Sequence, residues 1–190
     1  MNRKSMVLAV LAASFSLACA ETMTEVPSPV EIKDAKNCYR LSTELYRSGQ
    51  PGSRGFKALE KLGLKSVLNL REYHSDADEA EHTGLRLYRR KLAAGNVSRE
   101  ELMDCLLVIS SAPKPILVHC WHGSDRTGIV CAAYRIVMQG WTPEKALEEL
   151  MDERFGHHRS YYSNLAELVR TTDWKAFKEE FRKKRQAQGV

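Results

Sequence analysis

One ten-residue segment, HCWHGSDRTG from His119 to Gly128, restricts what this chain can fold into more than any other. An apolar run from Ile116 to Val118 precedes it, and a helix-like run from Ile129 to Met138 follows it. This order predicts a strand that carries Cys120 into a tight loop and a helix that begins where the loop ends. Because the amides of such a loop point inward and the helix dipole adds positive charge, the segment predicts a cradle for a phosphate dianion around a thiolate.

The side chains of this loop fit phosphate chemistry. Arg126 can offer two parallel N–H bonds to the oxygens of a transferring phosphoryl group, and the field of the loop favours the ionised form of the Cys120 thiol. Thr127 places a hydroxyl near the sulfur, where it could ease departure of the thiolate from a phosphocysteine. Cys120 and Arg126 are therefore predicted to be catalytic, and the predicted substrate-binding residues are Trp121, His122, Gly123, Ser124, Thr127 and Gly128.

The signature His-Cys-x5-Arg-Thr-Gly resembles that of the cysteine-dependent protein tyrosine phosphatase superfamily, and in particular its small dual-specificity branch. The resemblance to bacterial periplasmic members of that branch spans residues 37–164 and includes NCYRLSTELYRSGQP (37–51), SVLNLR (66–71) and AYRIVMQGW (133–141). It implies a phosphatase that works through a phosphocysteine intermediate and needs no metal or cofactor. It also implies that His119 bonds the loop backbone and helps to hold the thiolate.

The resemblance leaves the general acid open. Phosphatases of this kind add an aspartic acid from a separate loop, and the expected position falls near Ala93 or Ala94, in a stretch from Arg89 to Val97 without a carboxylate. Asp125 offers another answer, because its place directly before Arg126 resembles that of a loop aspartate in myotubularin-type and Sac-type phosphoinositide phosphatases. A bound dianion would raise the pKa of such a carboxyl, so Asp125 is predicted to be the catalytic proton donor. The alternative is that Asp125 points outward and only fixes the loop or pairs with a neighbouring base.

Three histidines near the signature are weaker candidates. His122 lies in the loop, where it could contact phosphate, act as a backup proton donor or have no role in the chemistry. His157 and His158 form a pair that could suggest a metal, but the sequence supplies no third ligand at a suitable spacing. We therefore predict no metal site.

Alternating elements define the predicted fold. Strands alternate with helices first and helices cluster last, which predicts a single α/β domain with a central, mostly parallel sheet flanked by helices, dual-specificity phosphatase-like. The segment His74–His82 is expected to be partly helical. The predicted strands are Cys38–Leu41, Leu45–Ser48, Val67–Leu70, Leu85–Leu92 and Ile116–Cys120. Besides the signature helix, the predicted helices are one capped by Ser53 and ending at Leu62, Arg99–Ser110 capped by Ser98, one from Pro143 to about Arg154 capped by Thr142, Tyr161–Arg170 and Trp174–Arg185.

The two ends of the chain differ in character. Residues 1–20 combine a basic start, an apolar stretch and the small residues Ala18-Cys19-Ala20, which predicts a signal peptide cleaved before Glu21 and a periplasmic or secreted protein. A lipidated Cys19 is the less favoured alternative, because Ser16 stands where a lipobox needs Leu. The apolar run is too short for a stable membrane span in the mature form. Further along, the prediction is a flexible leader over residues 21–36, the phosphatase domain over 37–172, and a basic helix over 173–190 that packs on or trails the domain.

Charge and cysteine content bear on the partners. The net charge is +5 over 190 residues and falls by two when the signal is removed, which is too little for a nucleic-acid footprint. The predicted partner is a phosphorylated protein or a small anionic phosphoester such as an inositol phosphate, with Arg89, Arg90 and Lys91 as a basic entrance. A phosphate-binding pseudophosphatase and a rhodanese-type sulfur-transfer enzyme are the alternatives, and the Arg-Thr-Gly ending disfavours the second. The spacing of Cys38, Cys105, Cys120 and Cys131 fits neither a zinc site nor a disulfide scaffold.

Overall fold

A six-stranded mixed sheet forms the centre of the molecule. The structure, a computed structural model, describes residues 26–189. The sheet order is β1-β2-β3-β6-β4-β5, in which β3, β6, β4 and β5 are parallel while β1 and β2 join antiparallel at one edge. The predicted α/β domain with a central, mostly parallel sheet is therefore confirmed. The strands are β1 Ser28–Pro29, β2 Tyr39–Arg40, β3 Leu45–Ser48, β4 Ser66–Asn69, β5 Arg86–Arg89 and β6 Ile116–His119.

Six helices surround this sheet, and two of their starts follow local capping rules. Ser98 accepts a hydrogen bond from the Glu101 amide, and the Glu101 carboxylate accepts one from the Ser98 amide, so α2 begins with the reciprocal capping box. Thr142 caps α4, whose first residue is Pro143, as predicted. The helices are α1 Ser53–Lys61, α2 Arg99–Ser111, α3 Asp125–Met138, α4 Pro143–Met151, α5 Ser163–Thr171 and α6 Trp174–Ala187, with short 3-10 helices at Ala94–Asn96 and Glu153–Phe155.

Strand β6 brings the signature to the centre of the sheet. All four residues of β6 are buried, because β3 and β4 pair with it on either side. Parallel strands covered on both faces are apolar throughout, which explains the unbroken Ile-Leu-Val run. The carboxyl ends of β3, β6 and β4 lie side by side, with His119 in register with both Ser48 and Asn69. Cys120 therefore emerges at the edge where ligands bind in open α/β sheets.

Helix α3, which follows the signature loop, has no solvent-exposed residue. It packs against α2, α4, α5 and α6. Within this core the fully buried Arg135 bonds both carboxylate oxygens of Glu149 at 2.7–3.1 Å and also the carbonyl of Leu41 at 3.2 Å. Its guanidinium lies over the Trp141 ring, 4.2 Å from the ring centroid. The pair locks α3 to α4 and to the loop before β3.

Several predicted boundaries differ from the structure. The leader predicted over 21–36 joins the sheet from Ser28, because β1 pairs with β2 and the Val30 amide bonds the Cys38 carbonyl at 2.9 Å. Gly52, and not Ser53, is the N-cap of α1, so no side chain caps this helix. Strand β5 is shorter than Leu85–Leu92, and the segment His74–His82 forms turns instead of a helix. The signal peptide predicted over 1–20 lies outside the described residues.

The C-terminal basic helix belongs to the core. Trp174, Phe177 and Phe181 are all buried, and α6 packs on α2 and α3 through this stripe. A 2.7 Å ion pair between Arg99 and Glu180 ties α6 to the start of α2. Within the described residues, no helix is long and apolar enough to cross a membrane.

Candidate active site

The signature loop forms the floor of a cavity of about 340 Å³. Cys120 follows β6 directly and is only 2% exposed, so its thiol lies at the bottom. Five of the predicted site residues line this cavity. The other four do not line it, and they are Gly123, Ser124, Thr127 and Gly128. The lining residues are Ala94, Cys120, Trp121, His122, Asp125, Arg126, His158, Tyr161 and Tyr162.

The carbonyl groups of the loop are held from outside the cavity. The Gln50 amide bonds the Trp121 carbonyl at 3.0 Å. Buried Arg47 bonds the Gly123 carbonyl through Nη2 at 2.7 Å, and its guanidinium lies over the Phe155 ring at 4.0 Å. Among the described residues, the backbone amides of 121–127 have no protein acceptor. The loop therefore presents a row of free N–H donors, as the sequence predicted for an anion cradle.

Glycine is required at two positions of the loop for different reasons. Gly123 has a φ of +78°, and a Cβ there would lie 2.5 Å from the Gly49 amide nitrogen. At Gly128 a Cβ would lie 2.6 Å from Leu150 Cδ1, so this glycine serves the contact between α3 and α4. The close approach at Gly128 is therefore made to a neighbouring helix.

Two buried polar atoms beside Cys120 lack a partner among the described residues. They are Arg126 Nε and Thr127 Oγ1. The Arg126 guanidinium makes a single long contact, 3.4 Å from Nη1 to the Leu92 carbonyl. Since a buried donor without an acceptor costs about 1–3 kcal/mol, an oxyanion in the cavity would satisfy groups that the protein leaves open.

The histidine before the cysteine is fixed by a carboxylate that sequence reasoning missed. His119 Nε2 lies 2.9 Å from Asp76 Oδ2, and His119 Nδ1 lies 3.2 Å from the Cys120 carbonyl oxygen. Gln50 donates to the other Asp76 oxygen at 2.9 Å. Burial alone would raise the pKa of Asp76, but the bonds from His119 and Gln50 lower it below its ordinary value. An ionised Asp76 thus orients the imidazole that holds the Cys120 backbone.

The surroundings of the Asp125 carboxyl favour its ionised form. Burial would raise the pKa of its carboxyl, but the hydrogen bonds from His157 and His158 outweigh burial and lower the pKa to about 2. His157 Nδ1 and the His158 amide lie 2.7 and 2.9 Å from Oδ1, and His158 Nδ1 lies 2.7 Å from Oδ2. A carboxylate held ionised in this way is a poor proton donor at neutral pH. The direct acid role predicted for Asp125 is therefore disfavoured, and the alternative of a fixed, hydrogen-bonded loop carboxylate fits the geometry.

Two histidine side chains and one aspartate side chain meet at the cavity wall, which the sequence did not predict. Ligand atoms of His122, Asp125 and His158 lie within 4.8 Å of one another. His158 Nδ1 already bonds Asp125 Oδ2, so the cluster is a hydrogen-bonded network. The absence of a metal site stays a prediction.

The basic entrance predicted at Arg89, Arg90 and Lys91 is not part of the catalytic cavity. Arg89 donates through Nε and Nη2 to the carbonyls of Arg71 and Glu72, and none of the three lines the catalytic cavity. A second cavity of about 830 Å³ adjoins the first across Trp121 and His122. Its basic groups come from other segments, and they are Lys33, Lys36, Arg71 and His74. Arg71 also lies over the Trp121 ring at 4.3 Å and bonds Gln50 at 2.9 Å.

The remaining described cysteines are free and unreactive by environment. Burial raises the pKa of the Cys38 and Cys131 thiols to about 11 and that of Cys105 to about 12. These thiols stay protonated and therefore act as plain core residues.

Comparison with known proteins identifies relatives with this arrangement. Residues 35–180 match the tyrosine phosphatase family. The chain is 36% identical over 146 residues to the dual specificity protein phosphatase TpbA of Pseudomonas aeruginosa, covering 74% of this chain and 66% of TpbA. It is 29% identical over 148 residues to the inositol diphosphatase SIW14 of Saccharomyces cerevisiae, covering 73% and 52%. The chain thus spans about two thirds or less of these curated relatives.

Solved structures agree with the sequence matches. The crystal structure of TpbA superposes with a TM-score of 0.75 and 30% identity over 82% of this chain and 96% of that chain. The core catalytic domain of SIW14, crystallised with citrate, gives a TM-score of 0.67 and 27% identity over 81% and 96%.

Proposed function

The chain belongs to the tyrosine phosphatase family, and on this premise we propose that it hydrolyses phosphate monoesters as a dual-specificity phosphatase, through a phosphocysteine intermediate. One observation carries the proposal. Cys120 lies at the bottom of a cavity where the loop amides and Arg126 Nε have no acceptor among the described residues. These donors surround the position that a phosphoryl group attacked by the thiolate would occupy.

The chemistry follows from the roles of these groups. The Cys120 thiolate attacks phosphorus and expels the substrate oxygen. Arg126 and the loop amides bond the equatorial oxygens, whose charge is largest in the transition state. Water then displaces Cys120 from the phosphocysteine, and the hydroxyl of Thr127, which lacks another partner among the described residues, can donate to the departing sulfur.

A nucleophile substitution tests this proposal. Cys120→Ser should abolish turnover of para-nitrophenyl phosphate, because the hydroxyl is a far weaker nucleophile than a thiolate, while binding of phosphate stays measurable. Cys38→Ala is the matched control, since this thiol is buried outside the cavity and should be dispensable for turnover. Orthovanadate should inhibit the wild-type protein, whereas chelators should leave the rate unchanged. Substantial activity in Cys120→Ser would rule out the phosphocysteine mechanism.

The substrate class has support from two directions. A Cys-to-Ser variant of TpbA was crystallised with phosphotyrosine, and this relative is 29% identical over 82% of the chain. Phosphotyrosine and phosphoserine or phosphothreonine on proteins are therefore the substrates we propose. An inositol phosphate is the second candidate, because the cavity beside the catalytic one contains Lys33, Lys36 and Arg71, which could bond further phosphates.

A two-substrate comparison separates these candidates. Lys33→Ala and Lys36→Ala should raise the KM for an inositol polyphosphate if the second cavity binds its additional phosphates, and should leave a monophosphorylated peptide unaffected. Lys57→Ala, on exposed α1, is the charge-matched control. If wild-type protein binds phosphate but turns over neither substrate class, the pseudophosphatase alternative replaces both.

The proposed location is the periplasm or the exterior. It rests on the basic start, the short apolar stretch and the small residues at Ala18-Cys19-Ala20. A lipid on Cys19 remains the competing form, and the mass of the protein from a bacterial envelope fraction distinguishes the two.

A further inference from the structure

The reaction needs a proton donor that the usual position does not supply. An alkoxide leaving group is a strong base, so it departs from phosphorus slowly unless it is protonated as the bond breaks. Ala94, at the position where relatives are expected to place an aspartic acid, does line the catalytic cavity, but it offers only a methyl group. The segment from Arg89 to Val97 contains no acidic residue. The donor must therefore come from another wall.

The same cavity is lined by a histidine that a carboxylate holds. His158 lines the same cavity as Cys120 and Arg126, and its side chain is 42% exposed. Its Nδ1 lies 2.7 Å from Asp125 Oδ2, and its backbone amide donates to Asp125 Oδ1 at 2.9 Å. Two bonds from one residue to one carboxylate fix both the backbone and the ring. Because Nδ1 faces the carboxylate, Nε2 is the nitrogen left free to exchange a proton with substrate.

We propose that His158 is the general acid and base of the reaction and that Asp125 is its positioning residue. This inference rests on the proposed phosphatase function. In the first step the Cys120 thiolate forms the S–P bond, the P–O bond breaks with its electron pair on the leaving oxygen, and that oxygen takes the proton from Nε2 of the imidazolium. In the second step Nε2 takes a proton from water as its oxygen bonds phosphorus and the S–P pair returns to sulfur. The products are the alcohol and inorganic phosphate, and the protein regains its starting state.

The other two histidines of the cluster fit this role less well. The His157 side chain is 1% exposed and does not line the cavity, and its Nε2 is buried without a partner among the described residues. His122 lines the cavity, but its ring only packs against His158 and Trp121, at centroid distances of 5.3 and 6.4 Å. Neither has the combination of a carboxylate at one nitrogen and the cavity at the other.

The charged groups around His158 come from several elements. Asp125 faces it from the start of α3, and a bound phosphate dianion adds further negative charge. His122 from the loop and Arg126 from α3 oppose these two, while Tyr162 packs edge-on at 6.4 Å. The Cys120 thiol lines the same cavity. The first step requires Cys120 as a thiolate and His158 as an imidazolium.

Leaving-group dependence tests the assignment. His158→Gln should slow hydrolysis of a phosphoserine peptide by about 10²–10⁴-fold and para-nitrophenyl phosphate far less, because nitrophenolate leaves without a proton. His82→Gln, an exposed histidine outside both cavities, is the matched control and should change neither rate. Ala94→Asp introduced into His158→Gln should restore part of the phosphoserine rate, because it places a carboxyl where relatives are expected to have one.

The role of Asp125 as a positioning residue is tested by a pH–rate profile, which a purely structural role would leave unshifted. Asp125→Asn should shift the basic limb of the phosphoserine pH–rate profile to lower pH, because the imidazolium loses its carboxylate, and Asp125→Glu should recover part of the shift. An equal loss for both substrates in His158→Gln, with no recovery by Ala94→Asp, would overturn the His158 assignment alone. Failure of the wild-type protein to hydrolyse para-nitrophenyl phosphate would overturn the proposed function together with it.

Discussion

The buried Arg135–Glu149 pair gives a stability prediction that the structure makes quantitative. Three N–H···O contacts of 2.7–3.1 Å join the two side chains, and both residues are buried. Glu149→Ala would leave the guanidinium ionised without a counter-charge in the core, since the remaining contacts of Arg135 are to neutral oxygens of Leu41 and Gln139. Removing one partner of a buried pair costs about 3–5 kcal/mol.

That cost translates into a large change in melting temperature. For a domain of this size, 1 kcal/mol corresponds to roughly 2–4 °C, so the Tm of Glu149→Ala should fall by about 6–20 °C. Differential scanning calorimetry and urea titration measure the change. Glu148→Ala is the control, because this neighbouring side chain is exposed and its removal should matter little. The kcat at a temperature where the variant is folded should stay close to that of the wild type, because neither residue lines the cavity.

A paired substitution distinguishes a buried-charge effect from simple loss of packing. Arg135→Met combined with Glu149→Leu removes both charges and keeps most of the volume, so it should recover much of the loss seen in Glu149→Ala. The carbonyl of Leu41 loses its donor in this double variant, so recovery should be incomplete. A Tm in Glu149→Ala that matches Glu148→Ala, or no recovery in the double variant, would refute the reasoning.

The remaining predictions concern the signature loop, the stability at low pH and the N-terminus. Arg126→Lys keeps the charge but loses the planar fork, so kcat should fall by orders of magnitude while Arg90→Lys leaves it unchanged. Gly123→Ala should reduce both stability and kcat more than Gly140→Ala, because both have positive φ but only Gly123 has backbone atoms within 3 Å of an added Cβ. The pKa of about 2 at Asp125 is below that of an aspartate in an unfolded chain. The stabilisation from this carboxylate is therefore present above about pH 4 and is lost as the pH falls toward about 2. The free energies of unfolding of wild type and Asp125→Asn, measured with urea, should become equal at that low pH. Mass spectrometry of envelope protein should show a mature start at Glu21, and an intact N-terminus or a lipid on Cys19 would contradict the predicted signal.

The parts of the fold that sequence predicted are those encoded by neighbouring residues. The strand, loop and helix around Cys120 follow from an apolar run, a glycine-containing loop and a second apolar run within about 20 residues. The caps Ser98 and Thr142 act within one turn of their helices, so they too could be identified from local spacing. Strand β1 could not be predicted, because Ser28–Pro29 has no strand pattern and extends only because the edge of β2 is open to it.

The parts of the site that sequence missed join residues far apart in the chain. Asp76 and His119 are separated by 43 positions, and Asp125 and His158 by 33, so no local spacing relates them. The sequence could not show which base pairs with Asp125, because His157 and His158 lie more than 30 positions away. The adjacent His157-His158 pair was the available signal, but it was considered only as a metal motif, which the lack of a third ligand disfavoured, and not as partners for Asp125.

The lack of any solvent-exposed residue in α3 has a consequence for how such a protein can diversify. A helix packed on every side tolerates few substitutions, so the arginine, the threonine and the carboxylate at its start are carried by the element least free to change. Other parts of the cavity walls come from other segments, around Lys33 and Lys36 and at Tyr161, which are largely exposed. Substrate preference can therefore change through these positions while the residues of the reaction stay constant, and exchanging them between relatives is the direct route to exchange specificity.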